Sequence, residues 1–102
     1  MSDAEIKINT RPRVDIKEPP MFRVIYLNDD KTAVDFVIAS LVDHFAYSVL
    51  EAETMTTAIH EQGAAVVAVL PYEIAEQKGI EVTVSARSEG YPLQIKLEPQ
   101  QE

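Results

Sequence analysis

Between Gly63 and Pro71 runs an uninterrupted apolar stretch, Ala64-Ala65-Val66-Val67-Ala68-Val69-Leu70. No polar side chain breaks it, so the rest of the chain has to cover it. Its length and its valines favour a strand over a short buried helix, and its lack of alternation points to a strand covered on both faces. The flanks agree with a strand set between helices. Gly63 is placed to take the left-handed conformation that ends a helix, and Pro71 followed by Tyr72-Glu73-Ile74-Ala75-Glu76-Gln77 reads as the start of another.

The chain has 102 residues, 46% of them hydrophobic, which is room for one domain and one core. Phe22-Arg23-Val24-Ile25-Tyr26-Leu27, β-branched and aromatic, suits a strand that stops at Asn28. Thr32 offers an N-cap hydroxyl, with Asp35 as a weak capping box, before Val34, Val37, Ile38, Leu41, Val42 and Phe45 recur at helical spacing. A second box, Ser48 with Glu51, opens a helix running to about Gln62, so two helices meet at Ala46-Tyr47. After Gly79, propensity alone makes Val82-Thr83-Val84 a strand. Leu93-Gln94-Ile95-Lys96-Leu97 alternates as a half-buried strand does, with Pro92 at its first position. The resulting order is β-α-α-β-α-β, an α+β domain without an internal repeat. Residues 1–20 are polar, carry Pro12, Pro19 and Pro20 and show no sustained periodicity, so they read as a disordered N-terminal tail. The core is expected over residues 21–98, with a short C-terminal tail over 99–102.

Charge narrows the partners. Seventeen acids against nine bases give a net charge of −8, which opposes nucleic acid and anionic membrane surfaces, since both are held by Lys and Arg. Cationic groups are favoured instead, and the N-terminal amine of a peptide is one. There is no cysteine, hence no disulfide framework, thiolate metal site or thiol nucleophile. The start Met1-Ser2-Asp3-Ala4-Glu5 lacks a basic leader and no run approaches the roughly 18–20 apolar residues of a membrane span. A cytoplasmic chain is expected.

Two segments stand out chemically. In Leu27-Asn28-Asp29-Asp30-Lys31-Thr32, three consecutive acceptor side chains sit between a strand end and a helix start. Such residues serve ordinary turns and helix caps, and equally form a pocket for a donor-rich cation. In Ala58-Ile59-His60-Glu61-Gln62-Gly63, the imidazole precedes a glycine stop, where a surface or capping role is also open. Thr56 lies one turn before His60 and projects from the same helix face. His44 and His60 are the only imidazoles, without the short spacing of a zinc motif, and no phosphate-binding glycine loop is present, so neither metal nor cofactor is expected.

Val24-Ile25-Tyr26-Leu27-Asn28-Asp29-Asp30-Lys31-Thr32 and Ala58-Ile59-His60-Glu61-Gln62-Gly63 together resemble the signature segments of ClpS, the adaptor family of the bacterial N-end rule. The resemblance extends from about Pro20 to Leu97 and includes Asp35-Phe36-Val37 and Tyr91-Pro92-Leu93. It implies three antiparallel strands with three helices, similar to the C-terminal domain of the ribosomal stalk protein, and it places Gly79 to Ala86 in the third helix. It implies that Asn28, Asp29 and His60 meet an α-ammonium group and the first peptide unit, with Asp30 and Thr32 supporting the rim. Val34, Thr56, Ile59 and Leu93 would form the hole for a bulky first side chain. The family often has Met at the positions of Val34 and Thr56, so a roomier pocket with one more polar wall is expected here, tolerant of large aromatics. Ala33 stands where the family often has Pro. Glu73 and Lys78 match positions that contact the N-terminal domain of a Clp AAA+ unfoldase, and the N-terminal tail matches an element thought to enter the unfoldase channel.

Two other readings compete. A hydrolase would use His60 as general base oriented by Asp29 or Asp30, without a Gly-x-Ser-x-Gly elbow to support it. A stalk-like or regulatory domain would modulate the unfoldase without an amine pocket.

Overall fold

The computed structural model describes residues 19–101. Most of the expected N-terminal tail therefore lies outside the described residues. The order is β1 (Met21–Leu27), α1 (Val34–Phe45), α2 (Val49–Gln62), β2 (Ala64–Pro71), α3 (Tyr72–Ser88) and β3 (Gln94–Pro99). The strands form one antiparallel sheet in the order β2-β1-β3, so the first strand is central and the apolar strand is an edge.

That position corrects the expectation of two covered faces for the apolar run, because Val66 and Val69 of β2 are exposed. The run is continuous because its outward positions are apolar too, and its core-facing positions are themselves irregularly spaced. Val24 pairs with Ala68 but Ile25 pairs with Val66, so Val67 is an extra residue in β2. A bulge of this kind shifts the side-chain parity of its strand. On one side of it Leu70 and Ala68 lie opposite Phe22 and Val24, and on the other Ala65 lies opposite Tyr26, with Val67 buried between. Four of the seven apolar residues thus face the core despite an irregular spacing. The Val67 carbonyl accepts a hydrogen bond from the Tyr47 hydroxyl at 2.7 Å, which satisfies a group at the point where the ladder is interrupted.

The core joins Val24 and Tyr26 of β1 to Val37 and Leu41 of α1, Ala52 and Ile59 of α2, and Ala75, Val82 and Ala86 of α3. Small residues on α3 let it lie close to the sheet. Buried Ala75, Val82 and Ala86 recur at helical spacing while Ile80 and Val84 point outward, which is why Gly79 to Ala86 is helix against its local strand propensity. β3 begins at Gln94, later than the expected Pro92–Leu93 start, and its pairing with β1 reaches Pro99. Leu93 lies just before the strand, almost completely buried.

The helix ends follow the capping rules unevenly. Ser48 and Glu51 form the expected reciprocal box at 3.1 and 2.9 Å, and Gly63 is left-handed at φ 86°. At α1 the expectation fails, because the N-cap is Ala33 with no side-chain cap hydrogen bond. The Thr32 hydroxyl bonds elsewhere, as described below. Ala46 closes α1 in the left-handed conformation at φ 62°, and both its N–H and that of Tyr47 bond the Leu41 carbonyl. This tight corner delivers Tyr47 to the bulge.

Gly79 offers a check on the packing of α3. A methyl group there would meet Ile95 Cγ2 at 3.8 Å, an ordinary contact. Gly79→Ala is expected to stabilise the fold by about 0.5–1 kcal/mol, the usual helix-interior difference. Urea denaturation checks it, and a loss of stability would contradict the packing described.

Candidate functional site

The register of the sheet builds the site. Leu27, the last residue of β1, lies opposite Ala64, the first of β2, and the Asn28 N–H donates to the Gly63 carbonyl at 2.9 Å. The turn that follows β1 is thereby fastened to the C-terminal end of α2. Asn28-Asp29-Asp30 and His60, remote in sequence, become neighbours.

Within the turn, Asp29 organises its own loop. One carboxylate oxygen accepts the N–H groups of Lys31 at 2.8 Å and Thr32 at 2.6 Å, and the other accepts the Thr32 hydroxyl at 2.8 Å. Thr32 is thus a donor to Asp29 and not the cap of α1. Burial pushes the Asp29 carboxyl upward, but the Thr32 and Lys31 hydrogen bonds and the Arg87 charge together hold it below the usual aspartate value. A carboxylate offers about four acceptor positions, so three internal bonds leave one for an outside donor.

A cavity of about 270 Å³ opens beside this turn. Asn28, Asp29, Asp30 and Thr32 form one side of it, Val34 at the start of α1 another, and Thr56, Ile59 and His60 of α2 a third, with Leu93 closing it. Every residue proposed from the sequence for substrate contact lines this one space. Thr56, Ile59 and Leu93 are buried, whereas Asn28, Asp30, Val34 and His60 are exposed. The result is an apolar base beneath an acceptor-rich rim. The Thr56 hydroxyl donates to the Ala52 carbonyl at 2.7 Å, so its one proton is used within α2 and that wall offers only acceptor capacity.

Tyr26, Leu27 and Val37 also line the cavity and were not assigned to it from the sequence. A signal existed for Val37, which follows Val34 at helical spacing; Tyr26 and Leu27 read only as strand residues. Tyr26 is fully buried and its hydroxyl lies 2.8 Å from Ser40 Oγ, which itself donates to the Val37 carbonyl at 2.8 Å. Because the Ser40 proton is directed at Val37, Tyr26 is the donor in the first bond. This chain ties the cavity base to α1. Glu73 and Lys78 lie elsewhere, in the first half of α3, with Glu73 exposed and Lys78 half-buried.

A cavity with an apolar base and an acceptor-rich rim, on a three-stranded, three-helix domain, defines a small binding module. The family model for ATP-dependent Clp protease adaptor protein ClpS matches residues 17–96. The ATP-dependent Clp protease adapter protein ClpS of Deinococcus radiodurans is 38% identical over 99 residues, covering 97% of this chain and 88% of that protein. The protein of the same name from Oleidesulfovibrio alaskensis is 41% identical over 104 residues, covering 96% and 98%. Among solved structures, Agrobacterium tumefaciens ClpS2 bound to L-phenylalaninamide superposes with a TM-score of 0.78 at 35% identity, over 81% of this chain and all of that one. The chain belongs to the ClpS family of Clp protease adaptors.

The Tyr26 hydroxyl supplies a pH-dependent test of the cavity base. Burial pushes its pKa from 10.0 up to about 12. Unfolded tyrosine loses its proton first, so the Tyr26 contribution is intact below pH 10 and declines as pH rises towards 12. Tyr26→Phe is expected to cost about 1 kcal/mol at pH 7. Wild type should then lose about 2–3 kcal/mol between pH 10 and 12 that the variant keeps, measured as the difference between their urea midpoints.

Proposed function

We propose that the chain is a non-enzymatic cytoplasmic adaptor that grips the free α-amino group and bulky hydrophobic first side chain of N-degron substrates. It delivers them to a Clp AAA+ unfoldase. The observation that carries this reading is the convergence of the Asn28-Asp29-Asp30 turn, His60 and the apolar group Val34, Thr56, Ile59 and Leu93 around one cavity. L-phenylalaninamide, the ligand of the Agrobacterium relative, has an ammonium, a benzyl group and an amide in the place of a first peptide bond. Those are the three features that this cavity is suited to hold.

The chemistry favours a free terminus. An ammonium has three donors and no acceptor, and hydrogen bonds to a charged partner are worth about 1.5–3 kcal/mol against about 1 for neutral pairs. The remaining acceptor position of Asp29, with Asn28 and His60, matches that demand. Acetylation removes the charge and most donors, leaving acceptors unpaired, and an internal peptide unit fails for the same reason. Asp29, occupied by its own turn, is poorly suited to orient His60 as a general base, which disfavours the hydrolase reading.

Delivery needs a second surface, and Glu73 and Lys78 are assigned to contact with the N-terminal domain of the unfoldase. Along α3, the helical rise of 1.5 Å per residue separates Glu73 from Arg87, near the cavity, by about 21 Å. Substrate and unfoldase can therefore be held together without competing. No helix among the described residues is long and apolar enough to cross a membrane.

Isothermal titration with a Phe-initiated peptide tests recognition. Acetylating the peptide, or introducing Asp29→Ala or His60→Ala, should weaken binding at least tenfold, corresponding to loss of about one charge-assisted hydrogen bond. Affinity should also fall by about tenfold per pH unit above about pH 8, where the peptide amine loses its proton, because only the ammonium is bound. Equal affinity for free and acetylated peptides would defeat the reading. Large aromatic first residues should be accepted, and a strict preference for small ones would contradict the assigned pocket.

The docking surface is checked separately. Glu73→Lys combined with Lys78→Glu should weaken association with the unfoldase N-terminal domain while leaving peptide affinity within about twofold, since surface substitutions away from a site are nearly neutral. A parallel loss of both would mean that the surfaces are not independent.

A further inference from the structure

The segment between α3 and β3 carries Leu93 to the cavity, yet the residue before it, Pro92, has no N–H with which to anchor itself. Backbone bonds secure only its beginning: the Glu89 and Tyr91 N–H groups donate to the Ala86 carbonyl at 3.1 and 2.9 Å, and Gly90, left-handed at φ 82°, donates to Arg87 at 3.0 Å. The carbonyls of Tyr91 and Leu93 are met instead by one side-chain atom. Arg87 Nη1 donates to both, at 2.9 and 2.8 Å, bridging the two sides of Pro92.

We infer that Arg87 is a positioning residue for substrate selection, fixing Leu93 as the wall against which a bulky first side chain packs. This inference rests on the binding role proposed for the cavity. Leu93 is only 2% exposed and lies beyond the end of α3 and before the ladder of β3, so neither regular element sets its place. The aromatic contact of Tyr91 with Phe36 of α1, with ring centres 5.4 Å apart, holds the segment from its other side. Arg87 and Phe36 thus bracket it, but only Arg87 bonds to Leu93 itself. The Arg87 charge also favours the carboxylate form of Asp29, so one side chain serves the apolar wall and the polar rim together.

Arg87 need not touch the peptide to act this way. Its removal should be felt most by peptides whose first side chain reaches Leu93, and least by those whose first side chain is too short to do so. A purely stabilising residue would show no such dependence, because partial unfolding lowers the apparent affinity for every peptide by the same factor.

The test compares peptides differing only in a first Phe or Ala, titrated into the full chain and into Arg87→Ala and Arg87→Lys. The folded fraction of each protein is followed by circular dichroism. Arg87→Ala is expected to lower the Phe-peptide affinity about tenfold and to reduce the Phe-to-Ala affinity ratio at least about threefold, with Arg87→Lys recovering part of both because its ammonium can still donate to carbonyls. A folded Arg87→Ala with the wild-type ratio overturns the inference even if both affinities fall. Should Arg87→Ala not fold, Arg87→Gln is read by the same ratio, and an unchanged ratio there overturns it equally. Wild-type protein that binds neither peptide would instead defeat the cavity's proposed function.

Discussion

The pairing of Leu27 with Ala64, continued by the Asn28 N–H bond to Gly63, is the constraint on which the rest of this molecule depends. It joins the exit of the central strand to the point where α2 becomes β2. Because Gly63 turns the chain in a left-handed conformation, His60 is left at the last turn of the helix, beside the loop that carries Asp29. A shift of one residue in this register would turn the side chains of a strand to the opposite face and remove Tyr26 from the core.

From that junction the cavity acquires two unlike halves. Its base consists of side chains that the core would bury in any case, among them Ile59, Val37 and Leu93, so it requires no separate framework. Its rim consists of exposed acceptors, held by a loop that Asp29 bonds from within. The internal bonds order the loop before any ligand arrives, which reduces the entropy lost on binding. Glu73 and the first half of α3 do not line this cavity.

The edge position of β2 introduces a difficulty, since an apolar edge strand invites pairing with other chains. The Val67 bulge interrupts its regularity, and the Tyr47 hydroxyl takes up the carbonyl there. Tyr47 reaches that carbonyl because Ala46 adopts a backbone conformation that costs a non-glycine residue about 1–2 kcal/mol. Corner, hydroxyl and bulge form one connected device that joins the two helices to the sheet edge.

Much of this was legible from the sequence. Helical spacing located α1 and α2, the Ser48–Glu51 box and Gly63 marked the ends of α2, and the clustered acceptors with His60 pointed to residues that line one cavity, because such signals are local in the chain. Resemblance to known adaptors supplied the third helix where propensity pointed to a strand. Three features were decided only by tertiary structure. Thr32 serves Asp29 instead of capping α1, because the turn competes with the helix for its hydroxyl. The apolar run is a bulged edge strand and not a strand covered on both faces, because its pairing partner sets its parity. Leu93 closes the cavity from an irregular segment in which Arg87 bonds the carbonyls on both sides of Pro92, an arrangement that neither helical nor strand spacing encodes. Residue spacing determines which groups share a face of one element; the packing of elements determines which of those groups meet.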